Sequence, residues 1–139
     1  MKIFLDTNIL MDVLLARQPF CLHAARLLEL CAEGQLDGHV STIAFPTLAY
    51  ILRKGHTPEY VRRKLQVLTD IVTPVDFTAA LLKRAMTLSF DDLEDAMQTV
   101  CAMSCAAEAI VTRNIKDFVD SGIPAFAPEN FLAMFSASK

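Results

Sequence analysis

The chain is expected to fold as a single α/β domain, with a mostly parallel sheet covered by helices on both faces. Three observations lead there. Short apolar runs of two to four residues alternate with longer segments of helical period, which is the pattern of strand–helix–strand units. A length of 139 residues fits one core and leaves no room for a second. Hydrophobic residues make up 53% and charged residues 21%, with 4 Gly and 6 Pro, a balance that describes a packed globule and not a disordered chain.

Lys2-Ile3-Phe4-Leu5 is an apolar run ending at Asp6, the pattern of a buried strand that delivers a carboxylate at its C-terminal end. A helix starts near Asn8. Pro19 opens a second helical segment with Ala24, Leu27, Leu28 and Cys31 at helical spacing, and Gly34 stops it. His39-Val40-Ser41 reads as the second strand. Ile43 to Leu52 suits a buried helix with Pro46 in its first turn and Gly55 beyond its end. Pro58 to Leu68 repeats the period through Val61 and Leu65, and Ile71-Val72 reads as a third strand before Pro74.

Phe77 to Leu88 and Asp91 to Ala106 are the next two helices. Ala109-Ile110-Val111 is a fourth strand leading into Thr112-Arg113-Asn114, with a short strand near Ala125-Phe126 and a terminal helix from about Pro128. The apolar Phe131, Leu132 and Phe135 of that helix suit either a subunit interface or this chain's own sheet. Repeats and low-complexity tracts are absent. In open sheets of this kind ligands gather outside the carboxyl ends of the strands, which is where Asp6 and Asn114 fall.

Composition excludes several functions. A net charge of −3 is not that of a protein that coats nucleic acid by charge alone. The basic cluster Arg53, Lys54, His56, Arg62, Arg63 and Lys64 suits either a local nucleic-acid contact or a solvated helix pair. Cys21, Cys31, Cys101 and Cys105 sit in apolar helical patterns without CxxC spacing, so they read as buried reduced thiols and not as a zinc site. No apolar run approaches the roughly 20 residues that span a bilayer, and the start of the chain lacks a signal-peptide layout, so the expected address is the cytoplasm.

The segment Ser89-Phe90-Asp91-Asp92-Leu93-Glu94-Asp95 carries four carboxylates in five consecutive positions. Ser89 is the expected N-cap, with Asp91 and Asp92 in the first turn, where each gains a few tenths of a kcal/mol from the helix dipole. Leu93, Ala96, Met97 and Val100 form the apolar stripe, which leaves Asp91, Asp95, Gln98 and Ala102 on the other side. Asp95 there is either a ligand or a solvated residue, and Asp117 either a ligand or a turn residue. Asp6, at the end of a buried strand, needs a partner, a helix to cap, or a cation.

If the fold gathers Asp6, Asp95 and the turn from Asn114 to Asp117, like charges about 4 Å apart repel by roughly 1 kcal/mol in water and about 4 at a surface-like dielectric. Protons or a cation must relieve that repulsion. All-oxygen donors select Mg²⁺ or Mn²⁺, and such an ion activates water and neutralises charge on a scissile phosphate.

Phe4-Leu5-Asp6-Thr7-Asn8, Leu93-Glu94-Asp95-Ala96 and Ile110-Val111-Thr112-Arg113-Asn114-Ile115-Lys116-Asp117-Phe118, in this order and spacing, resemble a PIN domain, the fold of VapC-type toxins of toxin–antitoxin pairs. The resemblance covers nearly the whole chain. It implies one PIN-like domain over residues 1–139, a three-layer α/β/α sandwich with a five-stranded parallel sheet in the order 3-2-1-4-5. It also implies a Mg²⁺- or Mn²⁺-dependent ribonuclease. Asp6 matches the first acidic ligand, Asp95 the acid that opens the helix before the fourth strand, and Glu94 an extra acid of one branch of the family. Asp117 completes the cluster. Asn8, Thr112 and Asn114 are supporting residues on this reading, and Arg113, Arg53 and Lys54 contact the RNA.

One position departs from the pattern. Such domains usually carry, after the second strand, a Ser followed six residues later by a Glu, and from Ser41 that position is Thr47. Two functions from different classes follow. One is an endoribonuclease, with an antitoxin partner and a homodimer among its implied properties. The other is a catalytically degenerate PIN domain that serves as an RNA-binding or protein-interaction module. A phosphatase with Asp6 as nucleophile would want a second acid two residues on, where Asn8 stands.

Overall fold

β1 (Lys2–Leu5) is the central strand because Ile3, Phe4 and Leu5 find apolar partners on both faces and are completely buried. The computed structural model describes all 139 residues. Around β1 lie β2 (Asp37–Ser41), β3 (Thr73–Val75), β4 (Ala109–Val111) and β5 (Ala125–Phe126), all parallel, in the order β3-β2-β1-β4-β5. This is the expected fold class and strand order.

Alternation along β1 divides the core into two. Ile3 and Leu5 face a large cluster with Val40, Ala109 and Val111 that buries residues of α1 (Thr7–Leu14), α2 (Cys21–Ala32), α3 (Ala44–Leu52), α4 (Pro58–Ile71) and α7 (Pro128–Ala137). Phe4 and Ile110 point the other way, onto Cys101 and Ala102 of α6 (Leu93–Ser104) and onto Phe118. α5 (Ala79–Ala85) packs beside α6 through Ala85, Ala96 and Val100. The result is three layers. Phe131 is fully buried in the large cluster, with Leu132 and Phe135 against it, so the terminal helix packs on this chain's own sheet.

Several boundaries differ from expectation. Ile71 is the last residue of α4 and Val72 its C-cap, so the third strand starts two residues later and contains Pro74. Pro74 is tolerated because β3 is an edge strand and need not donate on its outer side. α5 is shorter than Phe77–Leu88 because Thr78 caps it, its hydroxyl accepting from the Leu81 N–H at 3.2 Å. The cysteines are all unpaired. Cys31 and Cys101 are buried as expected, but Cys21 and Cys105 are only half-buried. No helix is long and apolar enough to cross a membrane.

Candidate active site

Asp6 is the first residue past β1, and its backbone N–H donates to the Val111 carbonyl at 3.1 Å, which holds the ends of β1 and β4 level. The side chain occupies the N-cap position of α1 but makes no capping bond there. Instead Oδ2 accepts from the Thr112 hydroxyl at 2.7 Å, and that hydroxyl oxygen accepts in turn from the Asn114 N–H at 3.0 Å. Asp6 is 8% exposed and its only side-chain partner is neutral. Burial pushes its carboxyl above the usual 3.8, the Thr112 and Thr7 hydrogen bonds pull it back, and the charges of Glu94 and Asp117 raise it again.

Asp95 reaches the same place from α6. The N-cap of that helix is Asp92, not Ser89: its Oδ1 accepts from the N–H groups of Glu94 at 2.8 Å and Asp95 at 3.2 Å. Asp95 is pushed up to about 7, first by desolvation and then by the charges of Asp92, Asp117, Asp6 and Glu94. Carboxylates from three parts of the chain, Asp6, Glu94 with Asp95, and Asp117, thus lie in one field. Asp117 lies in a 3₁₀ turn, Ile115–Phe118, pinned by the fully buried Phe118; burying a Phe contributes about 1.5–3 kcal/mol, which anchors the turn. Asp95 and Asp117 line a cavity of about 150 Å³ together with Asp91, Asp92 and Asp120, and Lys116 is its only cation.

The stripe assigned to α6 was too narrow. Leu93 is exposed, whereas Gln98 and Ala102, expected on the side away from the apolar stripe, are buried, as is Thr99. Gln98 Nε2 donates to the Thr7 hydroxyl at 2.8 Å, which ties α6 to the residue after Asp6. Gln98 Oε1 and Asn8 Oδ1 are buried without a protein partner. Asn114 is exposed beside the cluster.

Arg113 stands elsewhere than expected. Its Nε and a terminal nitrogen donate to the two oxygens of Asp12 at 2.7 and 3.2 Å, and its guanidinium lies over the Phe20 ring, 4.1 Å from the centroid. That charge is paired with Asp12, while the side chain still borders an open cleft beside Phe20 and His23. Asp12 is fully buried. The signal for it in the sequence is an acid set within the apolar run from Ile9 to Leu15. Arg53 and Lys54 are exposed just beyond α3; Arg53 stacks over Tyr50 at 4.2 Å and lines a cleft of about 690 Å³ between α3 and α4 with Phe45, Ala49, Arg62 and Leu65. The cleft that Arg53 lines shares no residue with the cavity of Asp95 and Asp117.

The donor set around Asp6 is entirely oxygen, which by chemistry suits Mg²⁺ or Mn²⁺ and not zinc. No three His, Cys, Asp or Glu side chains stand at the spacing that holds one ion. Thr47, where the expected pattern has a Glu, is an exposed residue of α3 without a carboxylate to add.

The sequence pattern of the PIN domain matches residues 2–116. The chain belongs to the PIN-domain family. No curated protein is similar enough to count as a relative. Among solved structures, this PIN domain is similar to VapBC2 from Rickettsia felis bound to a promoter DNA fragment, at 22% identity and a TM-score of 0.66 over 91% of this chain and 98% of that one. It is similar to a toxin–antitoxin complex from Klebsiella pneumoniae, at 23% identity and a TM-score of 0.66 over 90% and 96%. A third neighbour is VapC20 of Mycobacterium tuberculosis, a sarcin–ricin loop cleaving toxin, at 19% identity and a TM-score of 0.61 over 98% and 94%.

Proposed function

We propose that this PIN domain is a Mg²⁺- or Mn²⁺-dependent endoribonuclease that hydrolyses RNA phosphodiester bonds. The observation that carries the reading is the shared field of Asp6, Glu94, Asp95 and Asp117, brought from three parts of the chain to the carboxyl ends of β1 and β4. Asp6 and Asp95 would hold the ion, with Glu94 and Asp117 completing the oxygen set. A bound divalent ion supplies a water of lowered pKa and neutralises charge on the phosphate.

The chain's own residues do the rest. Thr112 fixes the rotamer of Asp6 through its 2.7 Å hydrogen bond, and Gln98 fixes the start of α1 through Thr7. Phe118 anchors the turn that presents Asp117. Asp95, pushed up to about 7, holds a proton more readily than an ordinary carboxyl and would be a charged ligand beside a cation.

The same reading makes the chain the toxin of a toxin–antitoxin pair, supported by neighbours solved as such complexes. The cleft between α3 and α4, with an apolar floor and Arg53 and Arg62 at its edge, suits an acidic amphipathic segment of the antitoxin. Self-association into a homodimer belongs to this reading too, and sedimentation of the purified chain tests it. The expected site of action is the cytoplasm.

The decisive experiment incubates purified protein with RNA and Mn²⁺. The wild type should cut and Asp6→Asn and Asp95→Asn should not; wild-type protein that binds RNA and never cuts it would remove the enzyme. That second outcome describes the degenerate binding module, for which the exposed Thr47 and the absence of a ready three-ligand set speak. RNA affinity with a salt slope and no turnover would identify it.

A further inference from the structure

A second cleft opens at the same end of the sheet, outside the acidic cluster. It measures about 490 Å³, within the range of about 300–1,000 Å³ of small-molecule sites, and its walls include Pro19, Phe20, His23, Arg113, Pro128 and Glu129. Arg113 follows β4 and Pro128 follows β5, so both stand at carboxyl ends of strands, on the rim that carries Asp6. Arg113 is also the residue between Thr112, which bonds Asp6, and Asn114.

One wall is held with unusual firmness. The fully buried Asp12 grips the guanidinium by two hydrogen bonds and holds it over the ring of Phe20, a residue that is 41% exposed. The freedom of a long side chain is thus already lost in the folded protein, and a flat ligand meets a finished ledge. Charge selects what that ligand is. The charged residues that line the cleft are Arg113 and Glu129, one of each sign, so the cleft is close to neutral, whereas the neighbouring cavity sets five Asp against Lys116. A phosphate gains little from a neutral cleft. An uncharged aromatic ring with polar edges gains stacking on the ledge and hydrogen bonds with His23 and to Glu129.

We infer that this cleft is a nucleobase subsite, where one base beside the scissile phosphate stacks at the Phe20–Arg113 ledge and turns an N–H edge toward Glu129. The inference takes its ligand class from the nuclease reading above. Ionised Glu129 accepts only, so it suits the amino or imino hydrogens of a base. The subsite fixes which phosphodiester bond lies over the acidic cluster.

The test uses single-stranded RNAs with 2-aminopurine placed at each position in turn, titrated into wild type, Phe20→Ala, Phe20→Tyr, Glu129→Gln and Asp6→Asn. Fluorescence should be quenched at one position, where the probe stacks. Phe20→Ala should abolish that quenching and weaken binding about 10-fold, within the range of base–aromatic stacking. Phe20→Tyr should keep it, and Glu129→Gln should weaken binding about threefold. Where RNA is cut, KM should rise in Phe20→Ala while kcat stays within about twofold. Because Phe20 is exposed, its Ala variant should keep the wild-type circular dichroism and melting temperature.

Quenching at no position, or equal quenching and affinity in Phe20→Ala, overturns the subsite and leaves the cleft to a protein side chain. Asp6→Asn keeps the two readings apart. Quenching without any cleavage by the wild type retains the subsite and removes the nuclease; cleavage without quenching does the reverse.

Discussion

Asp6 and Asp12 lie six residues apart and both are buried, yet the fold treats them in opposite ways. Asp12 receives a guanidinium with two hydrogen bonds. Asp6 receives one neutral hydroxyl and faces other carboxylates. A buried charge that is fully paired inside the chain is a strut, because nothing outside is needed to balance it. A buried carboxylate left among its own kind calls for a proton or a cation to balance it.

The sharpest way to break this comparison is to neutralise each acid. Asp6→Asn and Asp95→Asn should lower RNA cleavage by on the order of 10³, comparable with losing one essential charge-stabilising group, while leaving the melting temperature unchanged or higher. Asp12→Ala should do the opposite. It strands the Arg113 guanidinium, and breaking a buried pair costs about 3–5 kcal/mol, readable as a lowered urea midpoint. Destabilisation by Asp6→Asn of the same size would show that Asp6 is a strut as well.

The acid cluster was legible because an apolar run that ends in Asp has few other uses, and Asp6, Asp95 and Asp117 do share one field. Their electrostatic environment was not, since it depends on contacts between segments remote in the chain. Asp12 carried a local hint, an acid in an apolar run, but its partner is Arg113 and no spacing links the two. Gln98 was placed on the solvent side because a helical stripe marks only the side that packs on apolar neighbours. Here the helix is buried on its polar side too, against Thr7. The third strand slipped by two residues because Ile71-Val72 fits a helix end as well as a strand.

pH sharpens the comparison further. Asp95 has a folded value of about 7 against an ordinary 3.8, so between those limits the folded chain holds a proton that the unfolded chain has released. Stability from this group is therefore unaffected below about 4, falls as pH rises to about 7, and is level above. Chelator-treated protein should melt higher at pH 5 than at pH 8, Asp95→Asn should flatten the slope, and Mn²⁺ should raise the melting temperature at pH 8 more than at pH 5. A slope that is unchanged in Asp95→Asn would assign the titration elsewhere.

The smallest expected effect lies behind the cluster. Gln98→Leu removes the donor to Thr7 together with a buried acceptor that has no partner, so stability should change by less than about 1 kcal/mol. Cleavage should still fall, because Thr7 adjoins Asp6. Unchanged cleavage would show that Asp6 is held by Thr112 alone.

Pro74 has a consequence for how this molecule meets others. It sits in the middle of a three-residue border strand, and the opposite border, β5, is only two residues long. Neither margin offers a ladder of backbone groups onto which a foreign strand could zip, so fibril-like stacking through the sheet is blocked at both sides. Whatever docks here, a twin or an inhibitor, must do so through side chains on the helical layers.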